Sequence, residues 1–200
     1  MKQLPTILTV FRIAIAPVLA GLVLWAAHEQ FADPVLAGLI YVLALALVLL
    51  AAATDWLDGL IARRYDAVTP FGAALDHAAD KVLITCVLVA LAYAALPLNL
   101  VAAAVIILGR DVAVAGLREG LSAQGRALPV GPIGKWKAAA EMAGVAAFLG
   151  FEATVLLRGP LSLALGLDWG ARILLWAAAL LALISAGQYL RAAAKDASEA

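Results

Sequence analysis

Four aspartates in the middle of the chain are spaced as they would be along helices. Asp55 and Asp58 are three residues apart, and Asp76 and Asp80 are four apart, so each pair shares one face of a helix. A turn near Pro70 would bring the second helix back along the first and gather the four carboxylates. Such oxygen ligands favour Mg²⁺, Mn²⁺ or Ca²⁺ over zinc. The pattern therefore predicts a divalent-metal site suited to a bound diphosphate.

Small residues and one arginine accompany these aspartates. Gly59 and Ala62 continue the face of the first pair, and Gly72 shares the stripe of the second pair. Because these positions carry almost no side chain, a ligand has room to approach the backbone there. Arg63 lies on the flank and could bind a phosphate oxygen. The alternative is a set of solvated, capping charges at helix ends, but four aspartates at these spacings favour the metal–diphosphate site.

The composition places these residues in a membrane protein. Hydrophobic residues make up 66% of the 200 residues and charged residues 14%, whereas soluble domains are about 45–50% apolar. A formal net charge of zero argues against a protein that binds nucleic acid. The single cysteine, Cys86, excludes a disulfide within the chain and is interpreted as a packing residue.

The hydrophobic pattern predicts an all-α membrane protein with six transmembrane helices, forming a single domain over residues 1–200. The first helix would be retained rather than cleaved as a signal peptide, because Pro5 and Arg12 interrupt its apolar stretch. A turn is expected from Gly159 to Asp168, ahead of the last helix. The predicted helices cover residues 6–27, 34–64, 72–95, 98–122, 134–157 and 170–193.

The positions of lysine and arginine test this topology. With a cytoplasmic N-terminus, twelve of the fourteen lie on or near the cytoplasmic side, and only Arg158 and Arg172 lie outside. This distribution follows the positive-inside rule. It predicts a multi-pass membrane protein with both termini and the aspartate cluster at the cytoplasmic face.

The segment from Asp55 to Asp80 reads D-x2-D-G-x2-A-R-x8-G-x3-D-x3-D. This pattern resembles the signature of the CDP-alcohol phosphatidyltransferases at all eight specified positions. The resemblance implies a six-helix fold over the whole chain, a homodimer, and a site that faces the cytoplasm. It further implies two divalent ions per subunit, Mg²⁺ or Mn²⁺, together with a CDP-lipid donor and release of CMP.

The resemblance also implies a role for each matched residue. The metals would be held by Asp55, Asp58, Asp76 and Asp80. Asp80 would also be the general base for the acceptor hydroxyl. The CDP-lipid would be bound by Asp58, Gly59, Ala62, Arg63, Thr69 and Gly72. The opening stretch resembles the family's N-terminal segment and would support the site through Thr6, Thr9 and Arg12. The family usually has Asn where Thr6 stands here.

A second resemblance concerns the acceptor. Bacterial phosphatidylglycerophosphate synthases carry an LRE followed by a GKxK element, and this chain has LRE at 117–119 and GKWK at 134–137. The resemblance implies CDP-diacylglycerol as donor and sn-glycerol 3-phosphate as acceptor, in a bacterial inner membrane. Ala138 and Glu141 stand where Thr and Gln are expected. The acceptor phosphate, a phosphomonoester that suits a cluster of cations, would be bound by Arg110, Arg118, Lys135 and Lys137.

Other interpretations keep part of this picture. The same cations would suit inositol phosphate, and the same chemistry with phosphatidylglycerol as acceptor would make cardiolipin. The cations alone also satisfy the positive-inside rule or attract anionic headgroups. A cation transporter would need acids near the bilayer centre or in two repeated halves, whereas these acids stand at the ends of two adjacent predicted helices.

Overall fold

In the computed structural model, residues 4–64, 70–122 and 132–198 are described, and they form helices with short turns at 30–33, 95–97 and 157–160. Proline stands at the first position of three of these helices, where its fixed φ suits a helix and its missing N–H costs nothing. The helices are α1 (Leu4–Glu29), α2 (Pro34–Arg64), α3 (Pro70–Ala94), α4 (Leu98–Ser122), α5 (Pro132–Leu156) and α6 (Leu161–Ser198). The first five predicted helices are confirmed within two residues at each end.

The predicted start of the last helix was wrong, because α6 begins at Leu161 and not at residue 170. The turn before it is short. Arg158 takes a positive φ of 53°, and Gly159 N–H donates to Thr154 O at 2.8 Å, which closes the end of α5 in the manner of a left-handed C-terminal cap. The carbonyl of Pro160 then accepts hydrogen bonds from two backbone N–H groups of α6. Residues 161–168 are therefore helical.

The helices pack in a defined order around a buried apolar core. α1 packs against α2 and α3, α5 packs between α2 and α6, and α4 packs against α6. Glycines allow the α5 contacts to be close. A Cβ at Gly144 would lie 2.9 Å from Leu175 Cγ on α6, and a Cβ at Gly38 on α2 would lie 2.7 Å from Leu157 Cγ.

Five helices are long and apolar enough to cross a membrane, within the described residues. Large apolar side chains such as Leu39, Val105 and Leu180 are exposed on the outside of the bundle, where lipid would cover them. The protein is therefore an integral membrane protein. The five stretches are Ile7–Glu29, Pro34–Asp55, Leu98–Ser122, Ile133–Leu156 and Leu161–Arg191.

Candidate active site

Three of the four predicted metal ligands lie together at one end of the bundle. Asp55 stands near the end of α2, and Asp76 and Asp80 stand in the first half of α3. One carboxylate oxygen from each lies within 4.8 Å of the others. Each of these side chains is about 40% exposed. A trio of hard oxygen donors at this separation, open to solvent, fits a divalent ion such as Mg²⁺ or Mn²⁺.

Arg12 of α1 lies at the centre of this trio. Its guanidinium is fully buried and donates hydrogen bonds to the carboxylates of Asp55, Asp76 and Asp80. α1 can deliver this side chain because it packs against both helices that carry the aspartates. Among the described side chains, one positive charge stands here against three carboxylates, so the formal charge of these four groups is negative and favours a further cation.

The predicted acceptor cations share a cavity with the aspartates. The cavity has a volume of about 730 Å³ and is bounded by residues of α2 to α6. Its acidic wall comes from α2 and α3, and most of its basic wall comes from α4 and α5. The charged residues that line it are Asp55, Asp76, Asp80, Lys81, Arg110, Asp111, Arg118, Lys135, Lys137 and Glu141.

Two buried carboxylates sit among these cations. Asp111 accepts hydrogen bonds from Lys137 Nζ at 2.6 Å and from Arg110 Nη1 at 2.9 Å. Lys137 also pairs with Glu141 at 2.7 Å, and Lys81 Nζ donates to the carbonyl of Asp111 at 3.2 Å. Burying these charges is tolerable because each is paired. Sequence reasoning assigned no role to Asp111 or Glu141, although Lys137 and Glu141 are four residues apart and so share a helix face.

α6 contributes to the cavity region two further side chains that belong to no sequence motif. Arg110 Nη2 donates to Ser185 Oγ at 2.8 Å, and Arg118 Nη2 donates to Tyr189 Oη at 2.9 Å. Both guanidinium groups also lie against the ring of Tyr189, with Cζ 5.6 Å and 5.2 Å from its centroid. Tyr189 thus contacts both arginines that were predicted to bind the acceptor phosphate.

Several predicted site residues lie outside the described part of the structure. Thr69 lies in a segment that the structure does not describe. Five other predicted residues lie in described helices, but their side chains are not described. Gly72 is half-buried in α3, and Thr9 is buried in α1. The five whose side chains are not described are Thr6, Asp58, Gly59, Ala62 and Arg63.

The chain is similar to known proteins over most of its length. The family model for CDP-alcohol phosphatidyltransferase matches residues 2–184. A CDP-diacylglycerol--glycerol-3-phosphate 3-phosphatidyltransferase of Pseudomonas fluorescens is 35% identical over 96% of this chain and 90% of its own length. A protein of the same name from Pectobacterium atrosepticum is 37% identical over 97% of this chain and 96% of its length.

A plant relative is matched over a shorter stretch. The cardiolipin synthase (CMP-forming) of Oryza sativa is 34% identical over 71% of this chain and 44% of its own length. The family match spans nearly the whole chain, including the aspartates and the cations that share the cavity. The chain therefore belongs to the CDP-alcohol phosphatidyltransferase family, and it is an enzyme of that class.

Proposed function

We propose that this enzyme transfers a phosphatidyl group from CDP-diacylglycerol to sn-glycerol 3-phosphate, giving phosphatidylglycerophosphate and CMP. The observation that carries the proposal is that three aspartates and a group of lysines and arginines line the same cavity. The aspartates suit a metal-bound diphosphate, and the cations suit the phosphate of the acceptor. The names of the two bacterial relatives, which align along nearly their full length, support the same substrates.

The donor would lie at the aspartates. Two divalent ions, Mg²⁺ or Mn²⁺, bound by Asp55, Asp58, Asp76 and Asp80 would supply positive charge to the diphosphate and to the departing CMP. The CDP moiety would contact the segment that follows Asp55, through Asp58, Gly59, Ala62, Arg63, Thr69 and Gly72. This assignment rests on the family signature and on the position of the aspartate trio.

The acceptor would lie on the basic wall, where Arg110, Arg118 and Lys135 bind its phosphate and direct its hydroxyl toward Asp80. The carboxylate of Asp80 takes the hydroxyl proton as the oxygen attacks the phosphorus on the lipid side. The bond from that phosphorus to the bridging oxygen breaks, and CMP leaves with the electron pair. Lys137 contributes less to phosphate binding, because its charge is already shared with two buried carboxylates.

The arrangement in the membrane completes the proposal. All six helices would cross a bacterial inner membrane as one domain over residues 1–200, with the cavity and both termini on the cytoplasmic side, and two copies would form a homodimer. The distribution of lysine and arginine supports this orientation. Exposed aromatic residues at the opposite end of the bundle, among them Trp25, Tyr93 and Trp169, support an interfacial position for that end.

The test is release of CMP by the purified protein in detergent with CDP-diacylglycerol and Mg²⁺. We expect release with sn-glycerol 3-phosphate and little with inositol phosphate, serine or phosphatidylglycerol. Asp80→Asn should lower kcat by at least about a hundredfold, as loss of a general base does. Asp33→Asn is the matched control, because Asp33 caps α2 through Leu36 N–H at 3.0 Å and Asn caps equally well.

Each outcome decides a different part of the proposal. Release stimulated by another acceptor would keep the phosphatidyl transfer and overturn glycerol 3-phosphate as substrate. Full activity in Asp80→Asn would overturn the role of Asp80 as base. Equal losses in Asp80→Asn and Asp33→Asn would mean that removal of any carboxylate impairs the protein.

A further inference from the structure

Two side chains of α6 organise the basic wall of the cavity. We propose that Ser185 and Tyr189 are positioning residues that hold Arg110 and Arg118 side by side, so that both arginines bind one phosphate dianion of the acceptor. The inference rests on the proposed function, since it names how the acceptor is selected. Nothing in the family signature includes either α6 residue.

The arginines are placed by the register of α4 against α6. Arg110 and Arg118 are eight residues apart on α4, and Ser185 and Tyr189 are four apart on α6, so each pair lies on one face of its helix. The two helices pack together. Contacts between them therefore join each arginine to an α6 side chain.

Ser185 fixes one guanidinium. Its hydroxyl donates to the carbonyl of Ala182 at 2.9 Å, so the oxygen is turned to accept from Arg110 Nη2 at 2.8 Å. Arg110 Nη1 is held by Asp111 at 2.9 Å. Arg110 Nε is buried and makes no hydrogen bond among the described residues. The guanidinium is thus fixed on its Nη side at the cavity wall.

Tyr189 contacts both guanidinium groups. Two adjacent cations repel, and an aromatic face offsets part of that repulsion through cation–π attraction. The ring is buried and both Cζ atoms lie less than 6 Å from its centroid. The Tyr189 hydroxyl also accepts the hydrogen bond from Arg118. Arg110, Arg118 and Tyr189 all line the cavity, so the ring positions both guanidinium groups on its wall.

Two arginines on one cavity wall select for charge. A phosphomonoester carries about −1.5 to −2 charges at neutral pH, and Arg binds its oxygens with fixed geometry. A neutral alcohol or an amino acid gains nothing comparable. The two arginines therefore favour an acceptor that carries a terminal phosphate group.

The test compares three variants in detergent-solubilised full-length protein: Tyr189→Phe, which keeps the ring, Tyr189→Leu, which removes it, and Ser185→Ala. We expect the KM for glycerol 3-phosphate to rise about threefold to tenfold when one positioning hydrogen bond of ordinary net strength is lost, and further in Tyr189→Leu. The KM for CDP-diacylglycerol should stay within about twofold of wild type. The matched controls, Tyr93→Phe and Tyr93→Leu, alter a tyrosine that is 86% exposed and lies outside the cavity lining.

A second measurement does not depend on turnover. Binding of inorganic phosphate to the metal-free protein, followed by calorimetry, should weaken in the order wild type, Tyr189→Phe, Tyr189→Leu. Unchanged phosphate binding and unchanged acceptor KM in the Phe and Ala variants, which preserve packing, would overturn the inference. Inactive wild type with glycerol 3-phosphate, together with phosphate binding that still follows this order, would overturn the proposed acceptor and support the paired arginines.

Discussion

Arg12 is fully buried among carboxylates that two other helices supply. Three carboxylates at this separation repel one another, and a buried guanidinium needs negative partners. The arginine therefore offsets part of the repulsion among the aspartates, and its single charge leaves the group still attractive to a cation. The sequence predicted a supporting role for Arg12, but it did not predict which side chains Arg12 contacts.

Arg12→Met should destabilise the metal-free protein more than the Mg²⁺-loaded protein, because bound Mg²⁺ restores positive charge among the carboxylates. Removing one partner of a buried ion pair costs about 3–5 kcal/mol, and the cost is smaller here since each carboxylate is about 40% exposed. The measurement is the melting temperature in EDTA and in Mg²⁺. Arg172→Met is the control, since Arg172 pairs with Asp168 away from the cavity. Equal melting-temperature losses in both buffers for Arg12→Met would contradict the prediction.

Glu141 holds a negative charge beside Lys137 in the cavity. Glu141→Gln keeps a hydrogen-bond acceptor for Lys137 but removes that charge, so more of the lysine's positive field reaches the acceptor phosphate. We expect the KM for glycerol 3-phosphate to fall by about twofold to fivefold, the scale of a modest charge interaction. A steady-state acceptor titration measures it, and a higher KM would show that Glu141 is needed to hold Lys137 in place.

The spacing of residues predicted which face of a helix carries the aspartates, and it did not predict what each would contact. Arg12 is 43 residues from Asp55 and 68 from Asp80. Periodicity reports the direction of a side chain within its own helix, whereas these contacts depend on which helices are neighbours. The sequence did not predict a role for Ser185 or Tyr189 for the same reason, because their partners stand on α4.

At the level of elements, the turn between α5 and α6 shows where local sequence signals mislead. Gly159, Pro160 and the glycines beyond them suggested one long turn, but the positive φ of Arg158 reverses the chain at once. Residues 161–168 are then helical, despite Gly166. A single left-handed residue shortened the turn, and an arginine at that position gave no sign of it.

Arg158→Gly should raise the free energy of unfolding, because glycine adopts a positive φ without the steric cost of about 1–2 kcal/mol that other residues bear. The gain is offset in part by the greater freedom of glycine in the unfolded chain. Thermal unfolding in detergent measures it. Arg191→Gly, a change at an exposed helical position, should have the opposite sign. A lower melting temperature for Arg158→Gly would contradict the structure of this turn.

In the whole molecule, all six helices bring one end to the same region. Arg12 is near the start of α1 and Asp55 is near the end of α2. The site residues continue to lie alternately near the start of one helix and the end of the next, up to Tyr189 near the end of α6. The sequence predicted the number of helices and the shared end. The packing order, with α5 between α2 and α6, could not be read from apolar stretches that resemble one another.

The orientation of this bundle is open to a labelling test. In a Cys86→Ala background, Phe31→Cys, at a site that is 89% exposed in the turn between α1 and α2, should react with an impermeant maleimide added to intact cells. Ser122→Cys, exposed at the end of α4, should react only after the membrane is opened. The reverse pattern would invert the proposed topology.

The cavity has an apolar side as well as its charged walls. Leu49 and Ala52 of α2 and Met142, Ala143 and Ala146 of α5 line it, and Leu49 is half-exposed and belongs to the membrane-spanning stretch Pro34–Asp55. A lipid whose headgroup lies in the cavity could therefore keep its acyl chains in the bilayer. The enzyme would meet its donor by diffusion in two dimensions, and its rate would follow the mole fraction of donor in the membrane rather than the bulk concentration.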